Sequence, residues 1–121
     1  MNHKQKIGYW GEEQASRFLV RQGFIILERN YHCREGEVDI IAEKDQQLFF
    51  IEVKTRLTAD FGCPEEAFDQ RKKQRLQRAI KHYLDRRRIE ADDWQIGLVG
   101  ISIVDHWEKI SFSLTNYDLL V

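Results

Sequence analysis

Three side chains in this sequence have the types and spacing that metal-assisted hydrolysis requires. Asp39 sits in GEVDIIA, flanked by Val38, Ile40 and Ile41, while Glu52 and Lys54 sit in FIEVKTR, behind Leu48, Phe49, Phe50 and Ile51. Both runs are apolar enough to read as buried β-strands. Side chains alternate along a strand, so Glu52 and Lys54 point one way and Ile51, Val53 and Thr55 the other. An isolated buried charge costs on the order of several kcal/mol. A Glu–Lys pair offsets part of that, but burying such a pair breaks even at best. Taken alone, the pair reads as a surface-facing couple on an edge strand.

Asp39 changes that reading. Glu43 to Gln47 is a polar stretch between the two runs, so the strands are expected to form a hairpin with Asp39 and Glu52 side by side on one face. Like charges placed together are unfavourable without a cation. Two carboxylates aimed at one point suit Mg²⁺, which takes oxygen ligands and keeps several waters. A lysine beside them would stabilise developing negative charge, or orient an attacking water and help deprotonate it.

The elements that must position these groups follow from periodicity. Residues 8–22 are expected to form a helix whose apolar face centres on Ala15, Phe18 and Leu19 and which Gly23 stops. On that helix Glu12 lies about 70° from the centre of the apolar face and Glu13 about 170°. Glu12 therefore leans to the core boundary, and Glu13 faces solvent with Arg17 as its i+4 partner. GFIILERNYH, EVDIIAEK and QLFFIEVKT read as three strands. RLTADFGC is a loop. Pro64, followed by Glu65 and Glu66, suits the first turn of a long helix over about 65–88, with Phe68, Leu76, Ala79, Ile80, Tyr83 and Leu84 along its stripe. EADD at 90–93 is a break. QIGLVGISIV and EKISFSL read as two more strands joined near Asp105–His106. The order α-β-β-β-α-β-β predicts an α/β domain over residues 1–121 with one mixed sheet flanked by helices.

At 121 residues, with 42% hydrophobic and 12% aromatic content, the chain suits one domain with one core. Cys33 and Cys63 form no CxxC pair, which argues against a disulfide framework and for a cytoplasmic setting. Cys33 follows His32, an arrangement compatible with a metal but more simply an unpaired thiol. No run reaches about 18 apolar residues, so no membrane span is expected, and MNHKQKIG carries no apolar signal region.

A formal net charge of −1 conceals segregation. Between 71 and 88 stand nine basic residues against one acid, Asp85. A helix face carrying Arg71, Lys72, Lys73, Arg75 and Arg78 can neutralise phosphates without reading sequence, and it can equally be a solvated exterior. Arg56 shares the strand face of Lys54 and is a candidate for a further phosphate contact, or equally an ordinary edge residue. Tyr9, Trp10, Trp94 and Trp107 are candidates for stacking on unpaired bases, although core packing is the commoner fate of tryptophan.

GFIILERNY, GEVDIIA, FIEVKTR and FGCPEEA, in this order and spacing, resemble the YraN family of small bacterial proteins over about residues 8–104. That family is similar to archaeal Holliday-junction resolvases and to nucleases of the PD-(D/E)XK type. The resemblance implies a restriction-endonuclease-like fold, with Asp39 and Glu52 as ligands of Mg²⁺ or Mn²⁺, Lys54 as the catalytic lysine and Glu12 as a helix glutamate near the metal. Glu37, two residues from Asp39, is placed to assist. Gly97 stands where the family usually has an aspartate, so the strand after the long helix is not expected to add an acid. The implied activity is hydrolysis of DNA phosphodiester bonds, in branched or single-stranded regions, by a homodimer. The alternative is a nucleic-acid-binding or adaptor module on the same fold with little or no catalysis.

Overall fold

The computed structural model describes residues 2–56, 70–88, 94–104 and 107–115. Helix α1 (His3–Arg21) starts five residues before the apolar stripe predicts, because Asn2 caps it. The Asn2 side chain accepts from the Gln5 N–H at 2.8 Å and the Gln5 side chain accepts from the Asn2 N–H at 3.0 Å, a reciprocal cap that satisfies two donors. The helix stops as expected at Gly23, whose φ of +96° few other residues adopt.

Strands β1 (Ile25–Cys33), β2 (Gly36–Lys44) and β3 (Gln47–Arg56) form an antiparallel meander. The expected hairpin between β2 and β3 turns on Asp45 and Gln46, both with positive φ, as a tight two-residue turn requires. Helix α2 (Gln70–Arg87) carries the chain across to β4 (Trp94–Val104), which pairs parallel to β3. Strand β5 (Trp107–Thr115) then returns antiparallel to β4. The result is the expected α-β-β-β-α-β-β order on a five-stranded mixed sheet, β1-β2-β3-β4-β5. The loop at 57–63, the Pro64 helix start with residues 65–69, the 90–93 break and the 105–106 turn lie outside the described residues.

One helix covers each face. Ala15 and Leu19 of α1 pack on Ile40, Phe49, Ile51 and Val99, and Leu76, Ala79, Ile80 and Tyr83 of α2 pack on Tyr31, Val38, Ile41 and Phe50. Edge-to-face ring contacts run through the α2 side, from Tyr31 to Tyr83 to Phe50 to Trp94. Trp94 is therefore partly buried against the α2-side core, and Trp10 against the α1-side core. Of the stacking candidates Tyr9 stays exposed, at 57%, while the Trp107 side chain lies outside the described residues. No helix among the described residues is long and apolar enough to cross a membrane.

Close helix–sheet approach depends on missing side chains at two glycines. A Cβ at Gly36 would collide with the backbone carbonyl of Arg75, and one at Gly11 with the Thr55 side chain. The neighbour at Gly36 is backbone and cannot swing aside. Gly36→Ala is therefore expected to push α2 off β2 and to cost about 1–3 kcal/mol in urea unfolding, the usual range for overpacking.

Candidate active site

The β-hairpin that carries the acids comes apart where they lie. Pairing of β2 with β3 runs from Lys44↔Gln47 to Ile40↔Ile51 and ends there, although β2 begins at Gly36 and β3 continues to Arg56. The next residues in register are Asp39 and Glu52. Instead of a ladder bond, the Val53 N–H donates to the Asp39 carboxylate, 2.8 Å from Oδ2. The Asp39 side chain thus occupies the gap between the parting strands. On β3, Phe50 belongs to the α2-side core and Phe49 and Ile51 to the α1-side core. Alternation then sends Glu52 and Lys54 to the α2 side, and the two share one face as the sequence predicts.

Asp39 and Glu52 are close enough for their side chains to share a hydrogen bond. Oε1 of Glu52 is sealed from solvent without a partner. Burial and, secondarily, the Asp39 charge hold the Glu52 carboxyl well above the usual carboxylate range. Burial also raises Asp39, to about 6, against the lowering effect of the Val53 N–H. The charges of Glu12 and Glu37 push it further in the same direction. A carboxyl pair of this kind, one oxygen orphaned and both protons held too tightly, is what a cation would relieve. The donor set fits a hard divalent ion, with Asp39 and Glu52 as the residues that would hold it. Among the described residues no three His, Cys, Asp or Glu side chains are grouped to hold a metal.

Glu12 belongs to this neighbourhood. Gly11 packs on Thr55 of β3, which brings α1 down beside the site, and the Glu12 charge is felt at Asp39. Burial raises the Glu12 pKa, opposed by a hydrogen bond from the Asn30 side chain and by the Arg29 charge. Glu13 departs from its expected role. It keeps Arg17, at 3.5 Å, but also binds Nη1 of Arg29 on β1 at 2.8 Å, so it faces the sheet edge and not open solvent. Glu37 pairs with Nδ1 of the exposed His32 at 3.2 Å and influences the site through its charge. Cys33 is half-buried against the α2-side core.

Lys54 completes the group. Burial lowers its pKa, and the Lys72 amine of α2, within hydrogen-bonding reach, lowers it further against the pull of Glu52 and Asp39. Lys72 sits four residues before buried Leu76, on the helix stripe that faces the sheet, so its place beside Lys54 was readable from the helix period. The structure therefore brings Asp39, Glu52 and Lys54 together and sets Lys72 beside Lys54, while Glu12, on α1, reaches the group only through its charge on Asp39. Arg71, Arg75 and Arg78 line the exposed side of α2, and Lys73 is half-buried. Arg56 ends β3, and its side chain lies outside the described residues. Gly97 faces away from the acids. A Cβ there would lie 3.0 Å from the Phe112 ring and 3.4 Å from Ile51, on the α1 side. A surface depression of about 520 Å³ is lined by Glu35, Arg78, Lys81, His82 and Asp85. It includes none of the clustered acids.

A mixed sheet flanked by helices, with an acid pair and a lysine on two adjoining strands, defines a restriction-endonuclease-like α/β protein. The model of the uncharacterised protein family UPF0102 matches residues 11–104, and the chain belongs to that family, the YraN family of the sequence motifs. It is similar to the UPF0102 protein of Syntrophomonas wolfei, 41% identical over 113 residues that span 93% of this chain and 98% of that one. The UPF0102 protein of Dictyoglomus thermophilum is 52% identical over 84 residues, 69% of this chain and 70% of its own.

Proposed function

We propose that this protein is a divalent-metal-dependent endonuclease that hydrolyses DNA phosphodiester bonds, with branched or junction DNA as its substrate and a homodimer as its working form. The reading is carried by one observation: two half-buried carboxylates from parting strands meet, one Glu52 oxygen is sealed without a partner, and an ammonium group lies alongside. Mg²⁺ or Mn²⁺ held there would polarise the scissile phosphate and acidify a water. Asp39 and Glu52 are the residues that would hold and orient the ion. Glu12 adds negative charge at the rim. Lys54, its proton held less firmly than in water, is placed to steer the nucleophile and to balance charge that builds on the phosphate. Lys72 supplies a second positive charge at the same point. Substrate class and dimerisation follow from the family resemblance alone.

The basic side of α2 would carry the phosphate backbone. Each alanine substitution at Arg71, Arg75 or Arg78 is expected to reduce the slope of log affinity against log salt by about one, with little effect on sequence preference, in fluorescence anisotropy. Nicking of junction, flap and single-stranded DNA with Mn²⁺ tests the main reading. Cleavage by the wild type that disappears in Asp39→Ala supports the nuclease. Salt-sensitive binding without cleavage at any metal concentration replaces it with a binding module on the same fold.

A further inference from the structure

We propose that Asn30 is the positioning residue of this site: its left-handed backbone breaks the β1–β2 ladder opposite Asp39, and its side-chain amide reaches across to Glu12 of α1. Among the described residues Asn30 is the one non-glycine residue with positive φ, 53°, that lies inside a strand; Asp45 and Gln46 sit in a turn and Arg88 follows a helix end. Asparagine tolerates this region better than most side chains. The consequence is a change of face. In a regular strand Arg29 and Tyr31 would point the same way. Here Arg29 reaches Glu13 on α1 while Tyr31 enters the α2-side core. The partner strand switches at the same level, with Val38 in the α2-side core and Ile40 in the α1-side core. Pairing runs through Arg29↔Ile40 and Tyr31↔Val38, and omits the Asn30 and Asp39 between them. Asp39 is thereby released from the ladder, free to turn its carboxylate to Val53 and Glu52. The Asn30 amide, within hydrogen-bonding reach of Glu12, links this kink of β1 to α1.

The inference deepens the nuclease reading and depends on it only for its metal arm. Asn30→Gly keeps the left-handed backbone and loses the amide, whereas Asn30→Ala keeps neither. Asn30→Gly is expected to weaken Mn²⁺ binding about tenfold in calorimetry, the usual cost of losing an orienting partner, with its fold intact. Asn30→Ala is expected to do the same and also to lower Tm by roughly a few degrees. Independently of any metal, the Asn30 side-chain amide resonances should shift in Glu12→Ala relative to wild type. Amide resonances indifferent to Glu12→Ala, or Asn30→Gly binding Mn²⁺ as tightly as a metal-binding wild type, overturn the proposal. A wild type that binds no Mn²⁺ overturns the metal reading instead, and the amide resonances then decide the role of Asn30 alone.

Discussion

Lys54→Ala is expected to lower Mn²⁺-dependent nicking of junction DNA by roughly a hundred- to a thousandfold while leaving Mn²⁺ affinity within about twofold of wild type. The separation follows from the chemistry of the two kinds of group. An ammonium cannot ligate a cation, so its loss removes charge balance and proton handling at the reacting phosphate and nothing from the ion's ligand set. Asp39→Ala should differ in kind. It removes a ligand, so cleavage and ion-induced stabilisation should vanish together. For wild type, saturation with Mn²⁺ at about a hundred times Kd corresponds to about 2.7 kcal/mol, a rise of several degrees in Tm. Single-turnover nicking and thermal melts, each with and without Mn²⁺, read out both variants. Full cleavage by Lys54→Ala would remove the lysine from the chemistry, and an undiminished Mn²⁺ shift in Asp39→Ala would remove the metal from this pair.

The second large effect is a fall in stability on going from acid to neutral pH in divalent-free buffer. Asp39 has a folded pKa of about 6 against an ordinary 3.8, and Glu52 lies well above its ordinary 4.5, with burial the main cause for each. A carboxyl whose folded pKa is raised holds its proton more tightly folded than unfolded. Its contribution is therefore favourable below the ordinary pKa and is lost as pH climbs from about 4 through about 6, and beyond that for Glu52. At 1.36 kcal/mol per unit, the Asp39 shift corresponds to roughly 3 kcal/mol. Asp39→Asn should accordingly be more stable than wild type at pH 8, the reverse of what most core substitutions do. Urea unfolding at pH 5 and pH 8 measures it. A flat wild-type profile, or an Asp39→Asn protein weaker than wild type at pH 8, would mean that the two carboxyls are not crowded as described.

Much of this arrangement is legible in the sequence, for reasons particular to the residues. A charge at Asp39 or Glu52 inside a run of β-branched and aromatic neighbours stands out because apolar strands seldom carry one, and strand alternation then aligns Glu52 with Lys54. The hairpin was readable from the polar stretch between two such runs, and α2 from its stripe. What escaped was tertiary. Asn30 sits between Arg29 and Tyr31 like any polar strand residue, and only the register of its neighbours reveals the left-handed kink. Arg29 finds Glu13 across sixteen residues, a pairing that helix geometry alone assigns to solvent. The early start of α1 could have been read from Asn2 and Gln5, a capping pair set three apart, because caps and not apolar residues mark where a helix begins.

The kinked course of β1 also bears on how the protein keeps to itself in a crowded solution. This strand forms one margin of the sheet and exposes Ile25 at 63% and Leu27 at 40%, the type of greasy border that recruits foreign strands into aggregates. Its register shifts between Ile26 and Glu28 and skips again at Asn30, so no more than three successive residues run regularly. A visiting chain would find too short a template to zip along. The bend that takes Asp39 out of the ladder thus also serves as protection against fibril growth.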